Sequence, residues 1–264
     1  MKRFLLPNPP DDCGVVRLTG DDYHYLVRVR RLSEGDVFTA LLPDGTETRA
    51  LVQSIRGGGG NAVICECLAS VRRMAVAPLP PIALFQALPK GATIDRIIRQ
   101  AAEIGVTEII PFVSAYSVPK LKETERASEK VKRWKRIVKE ARQQSGSDVE
   151  TGISDVRTFD GALAYWKTTA MRYANPSGIL LHQEPLETGG GFHRYLAGNP
   201  DFVAAVVGPE GGFSPEEAER LIQAGFKPLV IGASVLRAET AAVYAAAAIR
   251  ALLLENTEWI PKPL

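Results

Sequence analysis

The chain has 264 residues, of which 45% are hydrophobic and 23% charged, and its formal net charge is +2. This length predicts one large domain or two unequal ones, and the composition is that of an ordinary soluble globular protein. The first residues lack the apolar core of a signal peptide, and the longest apolar stretch, 241–249, is far shorter than the roughly 20 residues that span a bilayer. We therefore expect a cytoplasmic protein without a membrane segment.

Residues 1–74 predict a small β-barrel, because short alternating apolar stretches are separated by turn signals. The predicted strands are 37–42, 49–55 and 62–68. The glycine run 57–60 predicts a hairpin tip and not a phosphate loop, since no Lys-Ser or Lys-Thr follows it. A proline-rich stretch, 75–81, then predicts the boundary between two domains, 1–74 and 75–264.

Three cysteines, Cys13, Cys65 and Cys67, are an odd number and too few for a disulfide framework. Cys65 and Cys67 alternate as in a strand, and no histidine or further cysteine lies near them in the sequence. We expect buried or edge thiols here and no metal site.

After the boundary, strand patterns alternate with helix patterns, which predicts a mostly parallel α/β sheet with helices on both faces. The predicted strands are 82–88, 109–113, 178–182, 201–207 and 229–231. Apolar residues at helical spacing predict a helix that begins near Ile94 and ends at Gly105. A second predicted helix, 123–144, carries an apolar stripe at Val131, Trp134 and Val138.

That second helix is strongly basic. Between Val118 and Arg142 there are ten Lys and Arg residues against four Asp and Glu residues. One basic face on a nearly neutral protein indicates a polyanion partner, whereas an ordinary solvated helix surface is the alternative.

Two segments near the C-terminus, 206–217 and 229–241, each predict a strand, a glycine turn and then a helix. Gly208, Gly211 and Gly212 permit positive φ and close approach of a ligand to the main chain. The sequence lacks Gly-Lys-Ser/Thr and Gly-x-Gly-x-x-Gly, and Glu210 places a negative charge where a phosphate would sit. Two loops around an adenosine with a cationic centre, such as S-adenosylmethionine, fit better.

The second of these segments supplies the other wall of the expected site. Val235 and Leu236 offer apolar cover for an adenine, and Arg237 offers a fixed positive charge. The helix from Ala238 onward is rich in alanine, which allows very close backbone packing. Such a helix could lie in a core, form a subunit contact or belong to a knot.

The motif Gly208-Pro209-Glu210-Gly211-Gly212, together with Leu236-Arg237-Ala238-Glu239-Thr240-Ala241, resembles the signature of the knotted SPOUT methyltransferases. More narrowly, the chain resembles the ribosomal small subunit methyltransferase E family, which methylates N3 of a uridine in 16S ribosomal RNA. The resemblance covers nearly the whole chain. It implies a PUA-like β-barrel for RNA, an α/β domain with a deep trefoil knot, S-adenosylmethionine as cofactor and a homodimer acting on 16S ribosomal RNA or the small ribosomal subunit.

The resemblance implies the cofactor contacts, whereas the catalytic and RNA-binding candidates are hypotheses from residue type and clustering. Arg237 would stabilise the uridinate, and Glu239 would be either a proton acceptor or a helix-start residue, while His24 and His182 are candidates by residue type alone. Expected RNA contacts are Arg3, Arg28, Arg30, Arg31, Lys90 and Arg142. Expected cofactor contacts are Leu181, His182, Gly208, Pro209, Glu210, Gly211, Gly212, Ile231, Gly232, Val235, Leu236, Arg237, Ala238 and Thr240.

The chain departs from the family pattern at several positions. Gln100 and Tyr116 stand where Lys and Arg are usual, Gln143 and Ser147 replace a Glu and an Arg, and Gln183 stands where Glu is common. These charge losses leave two alternatives open. One is an RNA- or ribosome-binding module that has lost catalysis, and the other is a SPOUT methyltransferase acting on a different nucleotide.

Overall fold

The computed structural model describes residues 3–58, 60–71, 79–118, 124–147, 149–183, 190–232 and 234–255. The chain divides into two compact units. The first takes in residues 1–75 together with 142–148, and the second takes in 76–141 and 149–264. The predicted division at residues 74 and 75 did not include segment 142–148 in the first unit, whereas the structure does.

The first unit contains a five-stranded sheet with the order β1-β3-β4-β5-β2. Strand β1 runs parallel to β3, and the other neighbours are antiparallel. A short helix and one π-helical turn, Tyr25–Val29, follow β2. The elements are β1 (Phe4–Leu5), β2 (Val15–Thr19), α1 (Gly20–His24), β3 (Val37–Leu41), β4 (Glu47–Arg56) and β5 (Ala62–Val71). The three predicted strands are confirmed as β3, β4 and β5.

Arg3 has a structural role inside this unit. Its guanidinium lies 2.7 Å from the Glu47 carboxylate and donates to the carbonyl oxygen of Gly146 at 3.1 Å. Gly146 belongs to the segment that returns from the second half of the sequence. Arg3 therefore links that segment to the sheet, a contact between residues 143 positions apart that no local pattern could predict.

The two cysteines of β5 are a buried and a partly buried thiol, as expected. Cys65 is fully buried in the core of the first unit, whereas Cys67 lies at its margin. Burial raises the pKa of the Cys65 thiol to about 12. The thiol is therefore protonated at neutral pH, which disfavours metal binding and nucleophilic chemistry.

The second unit is built on a parallel sheet with the order β12-β10-β11-β6-β7-β8, and β9 also pairs with β7. Its strands are β6 (Ile82–Ala87), β7 (Glu108–Val113), β8 (Gly152–Ile153), β9 (Arg157–Thr158), β10 (Pro176–Leu181), β11 (Phe202–Val207) and β12 (Phe226–Leu229). Its helices are α2 (Thr93–Ile104), α3 (Thr124–Ser145), α4 (Phe159–Ala170), α5 (Phe192–Leu196), α6 (Pro215–Gln223) and α7 (Ala238–Glu255).

Helices cover both faces of this sheet, which is why β6 and β11 are buried along their whole length. Apolar residues of α2, α3, α5 and α7 form the core on one face, and residues of α4 and α6 form the core on the other. The predicted stripe of α3, with Val131, Trp134 and Val138, is buried in the first of these cores. Alanine-rich α7 is a core helix, since Ala242, Ala245 and Ala246 contribute to the same core.

One predicted strand is wrong in its position. The sequence predicted a strand at 229–231, but β12 lies earlier in the chain, at Phe226–Leu229. Its four residues pair with Gly178–Leu181 of β10, and the His182 N–H still donates to the Leu229 carbonyl at 3.0 Å. Since β10 ends there, Val230 and Ile231 have no strand partner and belong to the loop that follows.

Helix α6 begins with the predicted capping box. The Ser214 hydroxyl accepts the Glu217 N–H at 3.2 Å, and the Glu217 carboxylate accepts the Ser214 N–H at 3.1 Å. The second oxygen of this carboxylate accepts the N–H of Ala115, in the turn after β7, at 2.7 Å. Glu217 is only 7% exposed, so one buried carboxylate joins the start of α6 to the turn after β7.

We expect Glu217→Gln to lower the free energy of unfolding of the second unit by about 1–3 kcal/mol, because an amide replaces a buried, charged acceptor of two N–H groups. Glu216→Gln is the matched control, since it removes the same charge from the same helix turn at an exposed position. It should cost about 0.3–1 kcal/mol through the helix dipole alone. Urea unfolding followed by tryptophan fluorescence measures both, because all three tryptophans belong to the second unit. Equal losses in the two variants would contradict the role of the buried carboxylate.

Candidate functional site

A cleft opens in the second unit where β10, β11 and β12 end. Together with the open solvent space at its mouth, the cleft encloses about 520 Å³. It is lined by Leu181, His182, Gln183, Val207, Gly208, Pro209, Gly212, Val230, Ile231, Ser234, Val235, Leu236, Ala238 and Ala241. The two predicted glycine loops therefore meet at one cleft, at the carboxyl edge of the parallel sheet where ligands of α/β folds bind.

The lining has a distinctive chemistry. Among the described residues it combines aliphatic side chains and glycine main chain with His182, Gln183 and Ser234, and none of these lining residues is Lys, Arg, Asp or Glu. A phosphate group would lack a cationic side chain among these residues, whereas a planar heterocycle could pack against Val230, Ile231 and Leu236. The cleft therefore suits a neutral or cationic ligand with an apolar ring system.

The first loop folds so tightly on itself that its glycines have no room for side chains. A Cβ on Gly208 would lie 3.1 Å from both the Cα and the carbonyl carbon of Gly212. The Gly212 N–H donates to the Pro209 carbonyl at 2.9 Å, and Gly212 has a φ of +69°, in the left-handed region. Main chain, and not side chain, therefore forms this wall of the cleft.

Gln86, which was not among the site residues predicted from the sequence, supports this loop from strand β6. It is fully buried in β6, next to β11, and its amide nitrogen lies 3.3 Å from the Gly208 carbonyl oxygen and 2.8 Å from that of Ala87. Its own side-chain oxygen is buried and has no hydrogen-bond partner among the described residues. In the sequence, Gln86 could have been noticed as the one amide side chain in the otherwise apolar strand β6.

Of the fourteen expected cofactor contacts, nine line the cleft and five do not. The nine are Leu181, His182, Gly208, Pro209, Gly212, Ile231, Val235, Leu236 and Ala238. The five are Glu210, Gly211, Gly232, Arg237 and Thr240. Glu210 has a different partner, because its carboxylate accepts the backbone N–H of Lys90 at 3.0 and 3.3 Å. It fastens the glycine loop to the segment between β6 and α2.

The two expected catalytic residues differ in their surroundings. Arg237 is exposed and stands in the chain between Leu236 and Ala238, both of which line the cleft. Glu239 is partly buried, and its carboxylate lies 3.2 Å from the Arg96 guanidinium. Arg237 therefore presents a cation beside the cleft, whereas Glu239 is engaged in an ion pair.

The arginines expected to contact RNA in the first unit fall into two groups. Arg28 and Arg31 are exposed. Arg30 is half-buried, with its guanidinium 5.5 Å from the centre of the Phe38 ring, and Arg3 is held by Glu47. The first group can reach a partner, and the second group packs within the unit.

Some of the other expected RNA contacts, and some of the positions that differ from the family pattern, are exposed, while others are partly or fully buried. Lys90 and Gln100 are exposed in the second unit, and Arg142 is half-buried in the first. Gln143 is only 4% exposed, so the loss of charge at this position falls on a buried side chain.

Helix α3 keeps its basic residues on the outer face. Lys132, Lys135 and Arg136 are exposed on the side opposite the buried stripe. Asp95 of α2 joins α2 to α3, since it forms an ion pair with Arg133 and accepts the Trp134 indole N–H at 3.1 Å. The predicted basic face therefore exists and is docked to the unit by a buried carboxylate.

Other classes of site have no support in the part of the chain that the structure describes. Its His, Cys, Asp and Glu side chains form no cluster of three or more that could hold a metal ion. Within the same residues, none of the helices combines the length and apolar character needed to cross a bilayer.

Comparison with known proteins matches both units to described families. Residues 77–250 match the RNA methyltransferase domain, and residues 18–65 match the RNA methyltransferase PUA domain. The expected α/β RNA methyltransferase domain after a PUA-like domain is confirmed, and the trefoil knot of the SPOUT class stays a prediction.

Individual relatives agree with these matches. The ribosomal RNA small subunit methyltransferase E of Bacillus subtilis is 30% identical over 243 residues, which are 90% of this chain and 91% of the relative. The protein of the same name from Synechocystis is 32% identical, over 91% of this chain and 74% of the relative. A methyltransferase structure from Legionella pneumophila, solved with its bound cofactor SAM, is 25% identical with a TM-score of 0.78, over 95% of this chain and 97% of that one. The chain belongs to the ribosomal RNA small subunit methyltransferase E family of RNA methyltransferases.

Proposed function

We propose that this protein transfers a methyl group from S-adenosylmethionine to N3 of a uridine in 16S ribosomal RNA. Membership of a ribosomal RNA methyltransferase family supports the reaction class. The observation that carries the proposal is the cleft between the two glycine loops, whose lining suits the chemistry of the cofactor and which has an exposed arginine next to it in the chain.

The residues present fit this cofactor. Valine, isoleucine and leucine side chains can enclose an adenine, and glycine main chain offers hydrogen-bonding groups where a Cβ would block approach. A cationic sulfonium also suits a lining that contains no Lys or Arg. When bound, S-adenosylmethionine supplies a methyl group on a positively charged sulfur, which is a good leaving group.

In the proposed reaction, uridine N3 forms a bond to the methyl carbon, the carbon–sulfur bond breaks with its electron pair going to sulfur, and the N3 proton is lost to solvent. The protein acts mainly by alignment, because the methyl group is already activated. Arg237 stabilises the negative charge that develops on the uracil as the proton leaves. The Arg96–Glu239 ion pair favours Arg237 over Glu239 as the group that acts on the substrate.

Separate basic surfaces on the two units are proposed to hold the RNA backbone. Arg28 and Arg31 serve in the first unit, and the exposed face of α3, with Lys132, Lys135 and Arg136, serves in the second. Phosphate contacts of this kind fix the position of an RNA and weaken steeply as salt concentration rises. The proposal includes a homodimer that acts in the cytoplasm on 16S ribosomal RNA or the small ribosomal subunit.

Titration calorimetry with S-adenosylmethionine, followed by transfer of a labelled methyl group to ribosomal RNA, tests the function. We expect binding of the cofactor and one methylated uridine, with the methyl group located at N3 by mass spectrometry. Absence of cofactor binding would favour an RNA-binding module without catalysis. A methyl group on another nucleotide or atom would favour a methyltransferase of different specificity.

We expect Arg237→Ala to lower kcat at saturating RNA by about 10²–10³-fold, because a positioned charge that acts on the transition state is lost. Affinity for S-adenosylmethionine, measured by calorimetry, should change much less, since Arg237 is not among the residues that line the cleft. Arg172→Ala is the control, because it removes an exposed arginine elsewhere in the same unit. Full turnover by Arg237→Ala with unchanged cofactor affinity would show that the assignment is wrong.

A further inference from the structure

A tyrosine in the turn after β7 is exposed in a way that its surroundings do not explain. Tyr116 is 51% exposed, although it follows a buried strand and lies between buried residues, Ser114 and Ser117. Among the described residues its hydroxyl has no hydrogen-bond partner. An aromatic ring that is held at the surface without a polar partner is available to a ligand.

The turn that carries Tyr116 is firmly anchored. The Ser114 N–H donates to the Ser117 hydroxyl at 3.1 Å, and the Ser117 N–H donates to the Ser114 carbonyl at 3.1 Å. Ala115, next to Tyr116, donates its N–H to the buried carboxylate of Glu217. The backbone is therefore fixed on both sides of Tyr116.

Tyr116 lies against the glycine loop of the cleft. A Cβ on Gly211 would lie 3.1 Å from the Tyr116 Cβ and 3.6 Å from its Cγ, so the glycine leaves room for this side chain. The next residue, Gly212, lines the cleft, and Glu210 binds the backbone of exposed Lys90. Tyr116 therefore lies beside the glycine loop that forms one wall of the cleft, close to a segment that carries a cation.

Unpaired RNA bases are recognised by stacking on aromatic side chains, while nearby cations hold the phosphates. A base whose ring atom must react cannot remain in a base-paired stack, because the reacting atom is then out of reach. An aromatic ring at the mouth of the cleft would replace the stacking that such a base loses. An exposed tyrosine on a fixed turn meets this requirement without further rearrangement.

We propose that the Tyr116 ring is the stacking platform for the unpaired base that the RNA substrate presents to the cleft. This inference rests on the proposed function, since it assigns a substrate-binding residue to that reaction. It places the base beside Gly211, with its edge toward the cleft.

Steady-state methylation by Tyr116→Ala, Tyr116→Leu and Tyr116→Phe tests the platform. We expect KM for RNA to rise about 5- to 100-fold in the alanine variant, from the loss of one base–aromatic stack. Leucine should behave like alanine, because it keeps bulk but has no π face, and phenylalanine should stay close to wild type. Met171→Ala, which removes an exposed apolar side chain elsewhere in the same unit, should leave KM unchanged.

Three outcomes would overturn this inference. Equal KM for all Tyr116 variants, in an enzyme that methylates RNA normally, would reject the platform and leave the proposed function intact. Affinity for S-adenosylmethionine that falls in parallel with affinity for RNA would assign Tyr116 to the shape of the cleft itself. If the wild-type protein transfers no methyl group, the proposed function fails, and binding of RNA with a fluorescent uridine analogue at an unpaired position decides the matter. No quenching by the wild type then rejects the platform, whereas quenching that is lost in alanine and kept in phenylalanine supports it.

Discussion

The candidate site depends on one steric constraint, which is the close approach of the main chain to itself after β11. A Cβ on Gly208 would press against the backbone of Gly212, and Gly212 itself has a left-handed φ of +69°, which side chains disfavour. A parallel strand can therefore turn into α6 within a few residues, and the turn presents peptide groups to the cleft. Because this wall is main chain, the cleft has a shape and hydrogen-bonding groups but no net charge.

Polar side chains outside the cleft, two of them buried, hold this turn in place. Gln86 supports it from β6, Glu210 fastens it to the backbone of Lys90, and Glu217 joins the following helix to the turn after β7. Each side chain satisfies backbone N–H or C=O groups of another segment, and leaving such groups unpaired in the interior would be costly. Anchors of this kind allow three loops from different strands to meet with fixed geometry around an apolar pocket.

Charge is distributed unevenly between the pocket and its surroundings. The described residues of the lining include no Lys, Arg, Asp or Glu, while Arg237 and Lys90 are exposed nearby and α3 presents a basic outer face. This distribution suits a small cationic cofactor inside and a large polyanion outside, because each avoids like charge. Other arginines stabilise the protein itself, as Arg3 and Arg30 do in the first unit.

The sequence by itself determined the features that arise from local order. These are the parallel α/β rhythm, the capped start of α6, the left-handed glycine at the end of α2 and the two glycine loops, because periodicity and capping depend on neighbouring residues. Only the tertiary structure decided that segment 142–148 joins the first unit, that Gln143 is buried, that β12 ends at Leu229 and that Glu210 binds the backbone of Lys90. Those outcomes depend on partners more than a hundred residues away or on the length of a neighbouring strand, and contacts of that kind leave no periodic pattern in the chain.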